Sequence, residues 1–190
     1  MALNYSLVRT QEPAPLVSVE DLAEHVRSTS NQDDAYLHDL AAAAVEILEE
    51  RTSLSFMPQQ WQLEQNRYSN PFELVRAPVA SIESFQALDN DLVWQDVPAE
   101  DYTLDTSSNP ALLYLNPGSS WPVKKSGLRT VRIVYNTGST SPPITARQFV
   151  RLTVGHWFEN RESVIVGTTA MEVPQSAAAL LQHLRTGLWP

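Results

Sequence analysis

The stretch from residue 142 to residue 161, PPITARQFVRLTVGHWFENR, constrains the fold more than any other part of the chain. Its two leading prolines have a preset φ and lack only donors that the first turn of a helix leaves unpaired. Counted from Ala146, the residues on one face of a 3.6-residue helix are Phe149, Val150, Thr153, Val154 and Trp157. Arg147 and Arg151 share a different face. The segment therefore predicts a helix with separate apolar and basic faces.

Glycine at position 155 lies inside this predicted helix. A glycine there costs roughly 1 kcal/mol relative to alanine, so it indicates close backbone packing or a bend. A simpler interpretation also remains, in which the helix packs into a core and its arginines form a solvated edge.

Two helices, the first of them short, are predicted near the N-terminus. Ser18 with Asp21 resembles an N-cap with an acidic third position, and it opens a helix to about Arg27. Asn31 or Asp33 can cap the next helix, which continues to about residue 53. The apolar stripe of this second helix consists of Leu37, Leu40, Ala41, Ala44 and Leu48.

A last helix is predicted close to the C-terminus. Pro174 and Ser176 open it, and Gly187 is its expected stop. Its apolar side consists of Ala177, Leu180, Leu181 and Leu184, and Leu188 and Trp189 follow. A tryptophan beside a chain end favours docking, either onto another protein or back onto the sheet.

Between the second and the long helix the apolar period changes to two, which is typical of strands. Six strands are predicted, at residues 60–66, 72–75, 82–88, 92–95, 111–115 and 128–135. The turn Asp89-Asn90-Asp91 joins the third and fourth as a hairpin. In the last strand Val131, Ile133 and Tyr135 point to one face. These strands predict one small, mostly antiparallel sheet inserted between helices.

The predicted fold class is α+β, a helical bundle carrying an inserted sheet. Four parts are expected: an N-terminal arm at residues 1–17, a helical core at 18–56 plus 139–162, a sheet region at 57–138, and a linker with a C-terminal helix at 163–190. The bundle would contain two N-terminal helices, the long central helix and the C-terminal helix.

Composition excludes several classes of function. The chain has no cysteine, which excludes disulfides, thiolate zinc sites and cysteine nucleophiles. It contains no phosphate-binding loop, dinucleotide fingerprint or nucleophile-elbow motif. No export signal or membrane span is visible either, so a soluble protein made inside a cell is expected. Catalysis therefore has no positive support, and no cofactor is expected.

Charge is distributed unevenly along the chain. Residues 1–105 contain 5 arginines and 19 acids, a net of −14, whereas residues 106–190 contain 8 cations and 3 acids, a net of +5. Two explanations remain open: pairing between the halves within one subunit, or head-to-tail association in which the acidic part of one copy meets the basic part of the next.

The acidic cluster Glu46, Glu49 and Glu50 ends the second helix, where the helix dipole favours cations. We expect this cluster to face Arg147 and Arg151, within the subunit or on a neighbour. Contacts between adjacent subunits are the prediction for these five residues.

Two alternative sites are weaker. His156 and Glu159 are spaced so that both could touch one metal ion, but no third ligand is indicated. Lys124 and Lys125 beside Trp121, together with Arg129 and Arg132, could form a DNA-binding patch. A solvated turn explains the lysines better, and the acidic first half of the chain argues against a DNA-binding module.

The order of these elements resembles the head-to-tail connector (adaptor) family of long-tailed double-stranded DNA phages and gene-transfer agents. The resemblance covers about residues 18–162 and consists of several short pieces in register. They are VSVEDLAEHVR, DDAYL, AAAAVEILEERTS, Trp61, APVASIESF, Tyr102, Trp121-Pro122, VRIVYNTG, PPITAR and HWFENR. The chain departs from the family pattern at Ser53, where a glycine commonly ends the second helix, and at Asn136-Thr137, which replace the small residue usual before Gly138.

The resemblance implies a structural protein of the virion, made in the host cytoplasm and located at the head–tail junction. It implies a ring of identical subunits, with twelve expected, that sits under the portal protein, extends the DNA channel and receives the next neck or tail protein, a stopper or tail terminator. DNA would pass without specific binding, and no membrane is involved. The C-terminal segment would embrace the portal, so the predicted portal-binding residues are Ala177, Leu180, Leu181, Leu184, Leu188 and Trp189. The alternatives are another neck or tail-completion protein, a metal enzyme or a DNA-binding module.

Overall fold

The computed structural model describes residues 5–66, 68–120, 129–160 and 173–186 of the chain. Within those ranges it contains eight strands and four α-helices, which confirms the predicted α+β class. Contacts divide the chain into two compact units. The sheet unit consists of Met1–Pro13 and Pro58–Thr140, and the helical unit consists of Ala14–Met57 and Ser141–Pro190.

The sheet unit contains two antiparallel sheets among its described residues, where the sequence predicted one. The five-stranded sheet has the order β1-β2-β8-β4-β5, with β1 Tyr5–Gln11, β2 Gln59–Gln65, β8 Val131–Thr137, β4 Val79–Leu88 and β5 Trp94–Asp96. The three-stranded sheet has the order β3-β7-β6, with β3 Phe72–Leu74, β7 Ala111–Leu115 and β6 Tyr102–Asp105. The predicted hairpin is confirmed, since β4 pairs with β5 and residues 89–93 connect them.

One apolar core joins the two sheets. Phe85 of the larger sheet lies with its ring centroid 5.5 Å from that of Phe72 and 5.6 Å from that of Tyr102, and both of these belong to the smaller sheet. Val131 and Ile133 are fully buried in the same core, as their common face predicted. Burial of these apolar side chains is the main stabilising contribution to the unit.

The prediction of a free arm over residues 1–17 is wrong for residues 5–11. These residues pair antiparallel with β2 and form an edge of the five-stranded sheet. Tyr5 and Leu7 lie on the face that packs against the core. Their alternation is too short to be recognised without a partner strand, since a strand gains its stability from its neighbours.

The helical unit contains α1 Val19–His25, α2 Asp34–Thr52, α3 Ile144–Glu159 and α4 Gln175–Thr186. The predicted cap of α1 is confirmed, because the side chain of Ser18 accepts a hydrogen bond from the N–H of Asp21 at 3.2 Å. Asp33, one of the two predicted caps, is the N-cap residue of α2, but its side chain makes no capping hydrogen bond to the helix. Residues 31–33 form a 3-10 turn, and the Asp33 carboxylate accepts from the Ser28 hydroxyl instead.

Helix α3 matches its prediction. It begins directly after Pro143, and the five residues of the predicted apolar face are buried together with Ala146. Gly155 is explained by close approach, because a Cβ atom added there would lie 3.1 Å from Nε2 of His25. Glycine therefore fits at this position, where α1 lies close to α3, and a larger residue would be crowded.

Helix α2 ends at a serine in the left-handed conformation. Ser53 has φ 59° and ψ 22°, and its N–H donates to the carbonyl of Glu49 at 2.9 Å. Glycine is favoured at such positions because a Cβ atom makes this conformation unfavourable. The chain therefore has serine, in place of the glycine common in the family, at a position where glycine would be the least strained residue.

Candidate assembly surfaces

The apolar side of α4 faces inward rather than outward. Ala177, Leu181 and Leu184 are buried, and α4 packs against α3 and α2 of the same subunit. Leu180 is half-buried. Leu188 and Trp189 lie outside the described residues. Three of the six predicted portal-binding residues are thus core residues of the helical unit.

Glu49 differs from the other two acids of the predicted cluster. Its side chain is only 1% exposed, and its Oε1 accepts a hydrogen bond from the N–H of Phe56 at 3.1 Å. A buried carboxylate needs such partners, since an unpaired one would be strongly disfavoured. Glu49 therefore stabilises the turn after α2 within the subunit, and its contact with a neighbouring subunit stays a prediction.

Glu46 and Glu50 are exposed on α2, as an acidic surface requires. Within the described part of the chain, neither forms an ion pair with Arg147 or Arg151. Arg151 instead lies 3.5 Å from the carboxylate of Asp21 on α1. An exposed pair of this kind contributes little stability, so Arg151 remains available for exchange with another acid.

The first turns of α3 present an apolar and basic surface. Ile144 is 71% exposed at the first position of the helix. Arg147 follows three residues later and is half-buried, and its buried Nε atom has no hydrogen-bond partner. Residues three apart are neighbours on a helix, so the two side chains share one side of α3.

The hairpin between β4 and β5 presents a second exposed apolar surface. Leu92 is 64% exposed and Val93 is 52% exposed. Leu92 has φ 65°, a left-handed conformation that a leucine rarely adopts. Asp91 lies beside them and is exposed as well.

The described arginines of the alternative DNA patch are paired within their own sheet. Oε1 of Glu64 lies 3.1 Å from Arg132, and its Oε2 lies 3.7 Å from Arg129. The guanidinium of Arg132 also stacks on the ring of Trp94 at 4.2 Å. Lys124 and Lys125 lie outside the described residues. Cations that are already paired offer less charge to a phosphate backbone.

The alternative metal pair has no third ligand in the described residues, where no group of three His, Cys, Asp or Glu side chains could hold an ion. The side chain of Asn160 donates to the carbonyl of His156 at 2.8 Å and so closes the end of α3. Burial raises the pKa of the hydroxyl groups of Tyr102 and Tyr135. No described helix is long and apolar enough to cross a membrane.

Solved structures resemble this chain over nearly its whole length. A chain from the neck of an empty gene-transfer-agent (GTA) particle, determined with C6 symmetry, has a TM-score of 0.75 at 20% identity and covers 96% of this chain and 97% of its own length. A chain from the virion of a native gene-transfer-agent particle has a TM-score of 0.73 at 22% identity, and 97% of each chain is covered. The chain has the fold of a gene-transfer-agent neck protein.

A third structure, the neck of a native GTA particle determined with C12 symmetry, gives a TM-score of 0.64 at 22% identity over 95% of this chain and 97% of that chain. No family model and no curated protein matches the sequence. The resemblance to the connector family is thereby confirmed at the level of fold, over about 96% of the chain.

Two features were not predicted from the sequence: the exposed apolar residues at the tip of the β4–β5 hairpin, and the burial of Glu49. The tip had a usable signal, since Asp-Asn-Asp-Leu-Val places two aliphatic residues where a turn normally carries polar ones. The burial of Glu49 had none, because the charge pattern of α2 does not show that the chain turns back over this carboxylate.

Proposed function

We propose that this chain is a structural head-to-tail adaptor of a tailed phage or gene-transfer agent. It forms a ring under the portal, extends the DNA channel and joins the capsid to the next neck or tail protein. It acts by assembly and carries out no covalent chemistry. The observation that carries the proposal is the match to chains from a gene-transfer-agent neck and virion over 96–97% of both partners, because it includes both units of the fold rather than one common motif.

Ring formation has separate support. Two of the similar neck structures were determined with sixfold and twelvefold symmetry. The charge difference between the two parts of this chain suits repeated head-to-tail contact, in which one surface meets a different surface of the next copy. Glu46, Glu50, Arg147 and Arg151 are the proposed charged contacts between subunits. A dodecamer is the proposed ring.

The C-terminal segment is the proposed portal contact. Leu180 is half-buried in the isolated subunit, so part of it can meet a partner without rearrangement. Ala177, Leu181 and Leu184 can contact a portal only if α4 leaves α3, which would expose apolar surface at the cost of its present burial. Leu188 and Trp189 complete the proposed contact.

A net charge of −9 supports the passage of DNA without retention. Acidic side chains repel phosphates, and in the described part of the sheet unit Arg129 and Arg132 are paired with Glu64 rather than free. The DNA is therefore proposed to pass through the ring without a specific site.

Deleting the gene from the particle's genome tests the proposal. The expected result is DNA-filled heads and free tails that do not join, seen by negative-stain electron microscopy, with rescue when the gene is supplied in trans. Normal tailed particles from the deletion strain would contradict a role in the neck.

Another neck or tail-completion protein is the second candidate, since the similar structures are described as neck and virion without naming the position of each chain. Binding to isolated portal protein distinguishes the two. An adaptor binds portal in the absence of other neck proteins, whereas a protein located further down the neck does not.

A further inference from the structure

The tip of the β4–β5 hairpin is held rigidly by the carboxylate of Asp89. Its Oδ1 accepts hydrogen bonds from the N–H groups of Asp91 and Val93, both at 2.9 Å, and its Oδ2 accepts from Nε2 of Gln95 at 2.9 Å. The backbone adds bonds from Asp89 N–H to Val93 carbonyl at 2.9 Å and from Leu92 N–H to Asp89 carbonyl at 3.2 Å. The tip is therefore organised before any partner arrives, which lowers the entropy cost of binding.

This rigid tip exposes two aliphatic side chains to solvent instead of burying them in the core of the subunit. Leu92 and Val93 are 64% and 52% exposed, and Leu92 occupies a left-handed conformation that is unfavourable for a residue with a Cβ atom. Asparagine or glycine would serve the turn with less strain. Strained, exposed apolar residues on a well-ordered loop are typical of contact sites.

The start of α3 offers a surface of complementary chemistry. Exposed Ile144 can cover an aliphatic partner, and Arg147 beside it is only half-buried and forms no ion pair with the described residues. The first turn of α3 contains no acidic residue, although the helix dipole favours negative charge there. An apolar partner that also supplies a carboxylate would satisfy all three features, and the hairpin tip provides Leu92, Val93 and Asp91.

We infer that the hairpin tip of one copy docks on the Ile144–Arg147 surface of the next copy. Leu92 and Val93 cover Ile144, and the carboxylate of Asp91 pairs with the guanidinium of Arg147. The contact joins two different surfaces, so it propagates from copy to copy and can close a ring. The inference rests on the proposed ring and assigns one of its subunit contacts.

The first test replaces the apolar side chains without disturbing the turn. In Leu92→Asn/Val93→Thr, asparagine tolerates the left-handed conformation and threonine preserves the branched shape. Val8→Thr is the matched control, because Val8 lies on the sheet edge and is also 52% exposed. Assembly is followed by light scattering over a concentration series with portal present.

The double variant is expected to raise the midpoint concentration for ring assembly at least about tenfold, as loss of an interface anchor does, with a melting temperature no lower than that of the wild type. The control should stay within about twofold of the wild type. Assembly of the double variant at the wild-type concentration would overturn the inference. Normal rings that no longer bind portal or another neck protein would also overturn it, because the tip would then serve that other partner.

The second test is a charge exchange. Asp91→Arg and Arg147→Asp should each weaken assembly, because each places like charges opposite one another. The combined variant restores the pair with its charges reversed and should recover most of the wild-type midpoint. A combined variant no better than the single ones would contradict the proposed pairing. If the wild type itself stays monomeric in the presence of portal, the proposed ring is contradicted. If the wild type assembles and the variants assemble equally well, only the proposed contact is contradicted.

Discussion

The sheet unit and the helical unit differ in how their charged residues are paired. In the sheet unit, buried Glu64 pairs with both Arg129 and Arg132. In the helical unit, Glu46 and Glu50 are exposed, Arg147 forms no ion pair with the described residues, and Arg151 has only an exposed partner in Asp21. Charges paired within a unit stabilise that unit, whereas unpaired ones offer affinity to another molecule. The contrast teaches that stability and assembly depend on different charges in this fold.

The largest effect is expected from the buried face of α4. Leu181→Ala and Leu184→Ala should each lower the free energy of unfolding by about 2–5 kcal/mol, as large-to-small core substitutions do. Leu180→Ala is the control and should cost less, because Leu180 is only half-buried. Thermal unfolding followed by circular dichroism measures the difference. Equal losses at all three positions would mean that α4 does not pack as the structure shows.

Substitutions at Glu49 and Glu50 compare a buried carboxylate with an exposed one on the same helix. Glu49→Ala leaves the N–H of Phe56 without this acceptor, so it should cost about 1–3 kcal/mol. Glu50→Ala removes an exposed charge and should change stability by less than about 0.5 kcal/mol. Urea denaturation of both variants provides the comparison. A Glu49 variant as stable as the Glu50 variant would show that this carboxylate has no structural role.

Glu64 tests the charge pairing of the sheet unit. Glu64→Gln should cost about 1–2 kcal/mol, less than a fully buried pair, because Arg129 and Arg132 remain partly exposed to water. The exposed Glu73 provides the control substitution Glu73→Gln. Duplex DNA binding by Glu64→Gln that the wild type lacks would show that Glu64 also masks these arginines. A stability equal to that of the control would contradict the structural importance of the pairing.

Ser53 should give the smallest effect, and in the opposite direction. Ser53→Gly removes the strain of a side chain in the left-handed conformation and should raise stability by about 1 kcal/mol. Ser53→Ala keeps a Cβ atom and should bring no such gain. The two melting temperatures decide the matter, and a glycine variant no more stable than the alanine variant would contradict the assigned conformation.

Elements with a long and regular pattern could be predicted from the sequence, and those that depend on a partner could not. All five predicted apolar residues of α3 are buried, and the hairpin at residues 89–91 forms where expected. Strand β1 was not predicted because its apolar alternation is short and its pairing with β2 is not visible in the local sequence. Strand β6 has only four residues and no clear apolar alternation, which hid the second sheet.

The candidate surfaces follow the same rule. The basic face of α3 was visible in the sequence as a four-residue spacing. The pairing of Arg151 with Asp21 joins residues far apart in sequence, so no local pattern could reveal it. The amphipathic pattern of α4 predicted its apolar side correctly, but such a pattern cannot tell whether the covering surface belongs to the same subunit or to a partner.

The mass and shape of the purified protein mixed with portal protein test the central claim most directly. Light scattering and negative-stain microscopy should show the chain as a ring stacked on the portal, with a subunit count equal to that of the portal or a simple multiple of it. A protein that remains monomeric and leaves the portal particles unchanged would contradict the account.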